Sequence, residues 1–437
     1  MEQSSSRRVV ITGLGVVSPL GNCPDQLVDS LRGSISGVGP FTQVPRGVLS
    51  TDYGAEATEF TGDIKDYGPL EKTLQRTIRK GSKVMCREIE MGVAAAQLAL
   101  NHANLSIDQR DATRTGVVYG CDYIMSLPSE FVSGIGKCLD ENGQFQFDQW
   151  GTQGKPEVNP LWLLKYLPNM PASHIAIYND LRGPNNSITV REASACNAIY
   201  EAHSTLRRGH ADVLVVGSTG SRIHPLRTLH ASMQETLASN RDDPTTMSRP
   251  FDSGRDGSVV GEGAAAIICE TLEHAQSRGA SILGEIVGMA SSSAGPSAGD
   301  DFLKTALTNV YRAALGDAEP SSIGHLHAHG LGTVGCDRQE SDAITEVFGD
   351  TASQPPVTTA KGHFGNLGAG GGMVEIVASL QALGGNLFPI LNCDSLDSDC
   401  QINAVRDDKT PAGDNFISVN VTPQGQASGV RIRRFVA

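Results

Sequence analysis

The sequence predicts an α/β layered fold made of two similar halves. The stretch from Gly183 to Gly217 reads as strand, sharp turn, helix, turn and strand. It ends in Val213–Val216, a continuous apolar run typical of a strand buried on both faces. The same strand–helix alternation recurs in the second part of the chain. Because 437 residues exceed what one simple core usually holds, we expect one half over 1–255 and another over 256–437.

Hydrophobic spacing and the positions of Gly and Pro predict the elements of the first half. A helix over Cys86–Ala103 is the clearest, since Ile89, Val93 and Leu100 fall on one stripe. The other predicted elements are strands over Arg8–Thr12, Thr115–Tyr119, Ser187–Val190 and Val213–Val216, and helices over Pro24–Leu31 and Ala193–Leu206. The segment 122–170 is irregular and contains both Trp residues, so we expect it to cover a partner subunit or cap a pocket.

The same signals predict the elements of the second half. The predicted strands are Ala264–Glu270, Ile282–Ser291, His325–His329, Pro356–Thr359, Phe416–Val421 and Val430–Phe435. The predicted helices are Thr271–Arg278, Asp301–Leu315, Ser341–Phe348 and Gly372–Leu383. No self-similarity of sequence is visible between the halves, so their similarity is predicted from element order alone.

Composition and charge argue against several functional classes. The formal net charge of −13 disfavours nucleic acid as the main partner, because phosphate binding needs clustered Lys and Arg. A basic run over 72–83 fits a solvated helix face better than a patch for an acidic partner. The sequence shows neither a signal peptide nor an apolar run long enough to span a membrane. We therefore expect a cytoplasmic protein without a membrane span.

No cofactor and no metal are predicted. The nine Cys include no CxxC pair, so neither a zinc site nor a redox pair is indicated. Gly13 and Gly15 follow the first predicted strand as a GxG turn, but Ser18 stands where a dinucleotide fingerprint needs its third Gly. A nicotinamide site is therefore disfavoured.

The turn at Arg191–Glu192–Ala193 is the predicted functional centre. A strand that turns abruptly into a helix places the turn residue at a helix N-terminus. Free backbone N–H groups and the helix dipole favour a nucleophile or an anion at that point. The residue that occupies this turn therefore decides the chemistry.

Several stretches resemble the β-ketoacyl-acyl carrier protein synthases of the elongating type, in the thiolase-like superfamily. They are Val9–Asn22, Ala211–Gly217, Ser248–Gly263, the group formed by His329, Asp337 and Glu340, and Thr359–Glu375. They occur in the family's order over the whole chain. The resemblance implies a five-layered αβαβα fold of two similar halves, usually a dimer, which agrees with the predicted element order.

The family uses a Cys at the strand-to-helix turn as acyl acceptor, together with two His residues that act on the malonyl thioester. Matching Gly183-Pro184 upstream and Ala211-Asp212-Val213 downstream places Glu192 at the position of this Cys. Aligning Cys196 instead requires four residues inserted before it and four removed after it. Cys196 then lies one helical turn inside the helix, which favours a small buried hydrophobe over a nucleophile.

The remaining family positions match only in part. His329 matches the first His, with the spacing to the supporting Asp337 and Glu340 intact. The second His falls on Asn366, and the nearby His363 is offset by three residues. The rest of the implied site consists of Lys361, the supporting Glu375 and the gating loop Thr422, Pro423, Gln424 and Gly425, in which Pro and Gln replace the expected glycine and Phe.

These substitutions change the expected chemistry. Acyl transfer to Glu192 would form a mixed anhydride, which is higher in energy than a thioester and hydrolyses. The helix N-terminus should hold Glu192 ionised, and a fixed anion repels a malonyl carboxylate. Asn366 and His329 could still donate hydrogen bonds to a thioester oxygen. His325, His327 and His329 share a strand face, but the resemblance places that strand in the core, which disfavours a metal site.

Three functional hypotheses follow, all within synthesis of the fatty acid or polyketide type. The first is a non-condensing homologue that dimerises with itself or with a catalytic ketosynthase and shapes an acyl pocket, as chain-length-factor subunits do. The second is a decarboxylase, hydrolase or acyltransferase that acts on carrier-bound acyl or malonyl thioesters through His329, Asn366 and Glu192. The third is a condensing enzyme that uses Cys196. The resemblance implies acyl carrier protein as a partner.

Overall fold

The structure is a computed structural model that describes residues 7–436. Its strands are β1 (Val9–Val17), β2 (Gly39–Pro40), β3 (Tyr53–Gly54), β4 (Thr115–Gly120), β5 (Asn185–Ile188), β6 (Val213–Ser221), β7 (Glu262–Thr271), β8 (Gly284–Ser293), β9 (His325–His327), β10 (Val357–Thr358), β11 (Asn415–Val421) and β12 (Gln426–Arg433). Its helices are α1 (Pro24–Arg32), α2 (Lys72–Gly81), α3 (Arg87–His102), α4 (Val132–Lys137), α5 (Met170–Asn179), α6 (Ser194–Arg207), α7 (Pro225–Gln234), α8 (Leu272–Ser277), α9 (Phe302–Leu315), α10 (Val334–Phe348), α11 (Lys361–Phe364) and α12 (Gly371–Ala382).

Ten of these strands form one sheet in the order β10-β9-β11-β12-β8-β1-β7-β6-β4-β5. The first half contributes β1, β4, β5, β6 and β7 to this sheet, and the second half contributes β8 to β12. When the five strands of each half are renumbered from one to five in chain order, both halves show the same order across the sheet, 1-5-4-2-3. The two sets meet where β1 pairs antiparallel with β8. The chain therefore contains two halves of the same topology.

Strand order groups β7 with the first half, because β7 pairs with both β1 and β6. The boundary between the two halves therefore lies between β7 and β8, further along the chain than the boundary predicted between residues 255 and 256. The long loop before β7 resembles a linker in sequence, but it hydrogen-bonds to the second half: the Asn366 N–H donates to Val259 O at 2.7 Å, and the Gly261 N–H donates to Asn366 O at 2.9 Å.

Helices cover the two halves of the sheet in three layers. Helix α3 packs on β1, β6 and β7, whereas α9 packs on β8, β11 and β12 and is itself covered by α10. Helices α6 and α12 lie between the halves, since α6 contacts β6 and β12, and α12 contacts β7 and β11. The resulting order of layers is αβαβα, as predicted.

The sequence of α12 explains its central position. Every residue of this helix except Gln381 is buried, and Glu375 is its single charged residue. A helix that is apolar on all sides has no face for water, so it is stable only between other layers.

Three local predictions differ from the structure. Strand β1 continues through Gly13 and Gly15, where a GxG turn was predicted. A Cβ on Gly15 would lie 2.1 Å from Ala95 O, so this glycine lets α3 approach the strand and shapes no phosphate turn. Strand β9 ends at His327 and α10 begins at Val334, seven residues before the predicted helix start. The predicted continuous strand over His325–His329 is therefore shorter, and His329 lies in the turn that follows it.

Candidate functional site

Glu192 lies in a tight turn between β5 and α6. This elbow, defined as residues Arg191–Ala193, is one turn of 3₁₀ helix, and Arg191 adopts a left-handed φ of 48°. A non-glycine residue in that region costs on the order of 1–3 kcal/mol, so surrounding contacts must hold the turn. Two such contacts are Val190 N–H donating to Ser194 Oγ at 2.9 Å and Ser428 Oγ donating to Ala193 O at 2.8 Å.

The N-termini of α6 and α12 meet at the elbow. The 3₁₀ turn Gly368–Gly370 immediately precedes α12, and it contacts the elbow that precedes α6. A Cβ on Gly372 would lie 3.0 Å from the Cβ of Ala195. Each helix N-terminus carries a partial positive charge. The two halves together therefore create a place that favours an anion.

Glu192 is held by two arginines and an amide. Its Oε1 lies 3.4 Å from Arg222 Nη1 and accepts a hydrogen bond from Asn366 Nδ2 at 3.1 Å. Its Oε2 lies 3.5 Å from Arg191 Nε. Burial alone raises the pKa of the Glu192 carboxyl, but Arg191, Arg222 and Asn366 outweigh this effect and hold the pKa below its usual value. Glu192 is therefore ionised at neutral pH.

A second carboxylate completes this arrangement. Glu235 Oε1 lies 2.5 Å from Arg191 Nη2, and Glu235 Oε2 lies 2.6 Å from Arg222 Nη2. The four residues Arg191, Arg222, Glu192 and Glu235, called here the ion cluster, carry two positive and two negative charges. The net charge of the cluster is zero, which makes its burial possible.

A separate polar network surrounds His329. The Nδ1 of His329 lies 3.1 Å from Asn420 Oδ1, which also accepts from Lys361 Nζ at 3.2 Å. Lys361 Nζ donates to Glu375 Oε1 at 2.5 Å, and Asn420 Nδ2 donates to Glu375 Oε2 at 2.9 Å. The structure thus brings together the predicted His329, Lys361 and Glu375, with Asn420 as the residue that joins them.

This network assigns the protonation of His329. Asn420 Oδ1 is an acceptor, so the Nδ1 of His329 carries the proton and the Nε2 keeps its lone pair. Burial lowers the pKa of His329 to about 3, and the nearby Lys361 ammonium acts in the same direction. At neutral pH the ring is therefore neutral, and its Nε2 is a hydrogen-bond acceptor.

Asp337 and Glu340 hold the turn that follows β9. Glu340 accepts the His329 N–H at 2.7 Å and the Gly330 N–H at 2.8 Å. Asp337 accepts the Leu331 N–H at 2.9 Å. Both carboxyl groups bond to backbone, and they fix the position of His329 from the first turns of α10.

Asn366 uses its amide within the protein. Its Oδ1 accepts the Gly368 N–H at 2.9 Å, which identifies Nδ2 as the group that faces Glu192. One Nδ2 hydrogen is thereby committed to the carboxylate. In this arrangement Asn366 stabilises the charge of Glu192 by a hydrogen bond and orients its side chain.

Cys196 and His363 lie outside both networks. Cys196 is buried in the core with Ala195 and Ile199, and burial raises the pKa of its thiol to about 12. His363 approaches two backbone carbonyl oxygens, those of Ile35 at 2.9 Å and Pro389 at 3.1 Å. Neither residue reaches the elbow through a hydrogen bond among the described residues.

The strand histidines form hydrogen bonds with one serine. His325 Nε2 lies 3.0 Å from Ser379 Oγ, and His327 Nδ1 lies 2.8 Å from the same oxygen. His329 belongs to the Asn420 network, so the three rings do not converge on one point. Within residues 7–436, no group of three or more His, Cys, Asp or Glu side chains is arranged to hold a metal ion.

A surface cavity of about 510 Å³ opens beside the ion cluster. Its wall includes Glu235, Ser258, Thr333, Cys336 and the first residues of the predicted gating loop, Val421–Pro423. We call it the access cavity; no atom of Glu192, Arg222 or His329 lines it.

The predicted gating loop is a short hairpin turn between β11 and β12. Thr422 N–H donates to Gln426 O at 2.9 Å, and Gly425 N–H donates to Thr422 O at 2.9 Å. A Cβ on Gly425 would lie 1.8 Å from Ala294 O, so the turn is packed tightly against β8's end. Pro423 lines the access cavity, and Gln424 is exposed.

Four residues of the site were absent from the prediction: Arg191 and Arg222 as cations, Glu235 as their second anion, and Asn420 as the link to His329. Arg191 adjoins Glu192 in sequence and could have been considered as its partner. Arg222, 30 residues from Glu192 in sequence, and Glu235 carry no sequence signal, because only the fold brings them to the elbow.

No helix among residues 7–436 is both long and apolar enough to cross a membrane.

Both halves of the chain match known domains. A family model described as Beta-ketoacyl synthase, N-terminal domain, matches residues 6–275, and one described as Beta-ketoacyl synthase, C-terminal domain, matches residues 283–394.

Relatives and solved structures agree with these matches. A 3-oxoacyl-[acyl-carrier-protein] synthase 2 from Coxiella burnetii is 31% identical over 411 residues, which cover 91% of this chain and 91% of that protein. The solved ishigamide ketosynthase/chain length factor has a TM-score of 0.81 at 23% identity and covers 99% of this chain and 100% of its own. AntDE:AntF, a type II PKS acyl-carrier protein in complex with its ketosynthase bound to the hexaketide, has a TM-score of 0.78 at 23% identity, with coverage of 99% and 100%. At these identities the two structures speak for the fold alone.

Proposed function

The chain belongs to the β-ketoacyl synthase family, and we propose that it is a non-condensing member that assembles with a catalytic ketosynthase in the manner of a chain-length-factor subunit. The observation that carries this proposal is the buried, ionised Glu192 at the elbow. A condensing member needs an acyl acceptor at this position. Glu192 is instead locked by Arg191, Arg222 and Asn366.

Cys196 does not replace the missing thiol. Cys196 is the nearest cysteine in sequence, but it is buried in the first turn of α6 and its thiol pKa is raised to about 12. A thiol with such a pKa is protonated at neutral pH and is a poor nucleophile. The condensing hypothesis that uses Cys196 is therefore the least supported of the three.

An exposed apolar surface supports assembly with another chain. The segment 122–170 folds into α4 and several short helical turns, and its aromatic side chains pack on each other, as Phe131 does on Trp162 with ring centroids 5.2 Å apart. It nevertheless exposes many large apolar side chains, including Val132, Ile135, Leu139, Phe145, Phe147, Leu161 and Leu163. Phe147 is 78% exposed. Such a concentration of exposed apolar residues is typical of a protein interface.

The neighbouring sheet edge adds to this surface. Strand β5 lies at one end of the sheet and, among the described residues, pairs only with β4. Its free edge can accept a further strand from a partner. We propose that the partner covers both β5 and the segment 122–170.

The charge of α2 is compatible with acyl carrier protein as a further partner. Its exposed cations and those just after it are Lys72, Arg76, Arg79, Lys80 and Lys83. None of them forms an ion pair with a described carboxylate. Clustered free cations on one helix attract an acidic partner.

Co-purification tests the proposal. The tagged chain is co-expressed with an untagged elongating ketosynthase that retains its Cys and both His, and the complex is isolated by affinity and size-exclusion chromatography. We expect a stable complex in which an acyl label from acyl carrier protein appears only on the partner's Cys by mass spectrometry. Label on Cys196, or 3-oxoacyl product from this chain alone, would contradict the proposal.

A second function is favoured by one specific observation. The His329–Asn420–Lys361–Glu375 network is complete, and the neutral His329 ring keeps a lone pair on Nε2. With a pKa of about 3 this ring is too weak a base to take up a proton at neutral pH, but it can accept a hydrogen bond and so position the substrate or a water molecule for decarboxylation or hydrolysis of a carrier-bound thioester. Release of carbon dioxide from malonyl carrier protein by the purified chain, abolished in His329→Ala and retained in Cys196→Ala, would establish this second function.

A further inference from the structure

One carboxylate of the ion cluster lines the access cavity. Glu235 is the only member of the ion cluster that lines this cavity, and its side chain is 8% exposed. Behind it lie Arg191 and Arg222, and behind these lies Glu192, whose side chain is 2% exposed. The order in space is therefore cavity, Glu235, arginines, Glu192.

The side chain of Glu235 is held at both oxygens. Oε1 bonds to Arg191 and Oε2 bonds to Arg222, at 2.5 and 2.6 Å. Moving Glu235 aside requires both of these buried ion pairs to open together. It also leaves two arginines facing one remaining carboxylate, so the closed arrangement is strongly favoured.

The backbone that carries Glu235 is held as well. Glu235 directly follows α7, and the next residues pair with the loop before β7. The Ser258 N–H donates to Thr236 O at 3.0 Å, and the Ala238 N–H donates to Ser258 O at 2.9 Å. The segment therefore lacks the freedom of an open loop, and the position of the Glu235 side chain is fixed from two sides.

We propose that Glu235 is a plug that ends the access cavity before the elbow and so determines what this site admits. A ligand of the cavity meets a carboxylate paired to arginines and cannot reach residue 192. An acyl group that must pass Glu235 to reach the elbow is therefore excluded. The plug deepens the proposed function because it adds a second barrier to condensation, independent of the residue at the elbow.

Thiol accessibility tests the plug. Glu192→Cys introduces a reporter thiol behind Glu235, and the two arginines will favour its thiolate form. Purified Glu192→Cys, Glu192→Cys with Glu235→Ala, and Glu192→Cys with Glu235→Gln are treated with iodoacetamide, and labelled peptides are followed by mass spectrometry. Labelling of the exposed Cys23 is the internal reference in all three proteins.

We expect the thiol at position 192 to react at least about tenfold faster with Glu235→Ala than with Glu235. Glu235→Gln keeps the size of the side chain but loses both ion pairs, so its rate should lie between those of Glu235 and Glu235→Ala. Equal rates with Glu235 and Glu235→Ala would overturn the proposal, as would equally fast labelling of the Ala and Gln variants. Thermal melts and an unchanged Cys23 rate verify the fold of each variant.

This experiment uses the chain without any partner. Its outcome is therefore separate from the co-purification test: a chain that fails to bind a ketosynthase can still have the plug, and a chain that binds one can lack it.

Discussion

Removing one charge from the ion cluster tests whether Glu192 is structural. Arg222→Met keeps most of the side-chain length but leaves Glu192 and Glu235 sharing Arg191 alone, so the buried cluster acquires a net charge of −1. Arg222 and Glu192 are 3% and 2% exposed. Breaking a buried ion pair by removing one partner typically costs about 3–5 kcal/mol. We expect Arg222→Met to lower the free energy of unfolding by about this amount.

The compensating change sharpens the test. Glu192→Gln alone leaves the cluster with a net charge of +1 and should also destabilise the protein. The double variant Arg222→Met with Glu192→Gln restores neutrality, so its loss should be smaller than the sum of the single losses by roughly 1–3 kcal/mol. Equilibrium unfolding in urea, followed by circular dichroism with a check of reversibility, measures all four proteins.

An exposed ion pair supplies the matched control. Arg182 and Asp180 are 2.8 Å apart, but their side chains are 66% and 53% exposed. Arg182→Met should destabilise the protein far less than Arg222→Met, because water screens this exposed pair. The reasoning is refuted if the losses of Arg222→Met and Glu192→Gln add to within about 0.5 kcal/mol in the double variant, or if Arg222→Met costs no more than Arg182→Met.

Three further predictions concern pH, thiol reactivity and assembly. Burial alone would raise the pKa of Glu270, but Arg278 and its other hydrogen-bond partners lower it to about 2. The stabilisation that Glu270 contributes is therefore fully present above its unfolded pKa of about 4.3 and is lost as the pH falls towards 2. This loss amounts to roughly 3 kcal/mol of unfolding free energy, and it should be absent from the acid unfolding of Glu270→Gln. Iodoacetamide should label the exposed Cys23 in the native chain and leave the buried Cys196 unlabelled until urea unfolds it, so rapid native labelling of Cys196 would revive it as a nucleophile. Phe147→Glu should reduce co-purification with a ketosynthase at least about tenfold while leaving the melting temperature unchanged, and an unaffected complex would place the interface elsewhere.

Much of the fold was predictable because apolar periodicity and turn residues are local signals. Helix α3 was predicted to within one residue at each end, and β4 and α9 almost as closely. A turn was predicted between β9 and α10, but its bounds were wrong, because its conformation depends on Asp337 and Glu340, which bond to backbone groups several residues away. Gly15 was wrongly assigned to a turn, because the helix that it packs against lies about 80 residues later in the chain and gives no local signal.

Only those site residues that can be placed by matching the order of the family's motifs were predictable from the sequence. Counting from both flanks places Glu192 at the elbow, and the structure has it there, at the end of β5 and before α6. His329, Lys361 and Glu375 also lie together as the resemblance implies. Whether any of these residues acts in catalysis stays a prediction.

The sequence by itself predicted the α/β class, the two halves and an acid, Glu192, at the position where the resemblance places the nucleophile. These properties follow from residue order and short-range spacing. Only the tertiary structure decided the state of that acid, because Arg222 and Glu235 come from β6's end and the end of α7, and the Asn366 loop comes from the other half. The charge of a buried group depends on which charges surround it, and that neighbourhood exists only once the two halves have packed together.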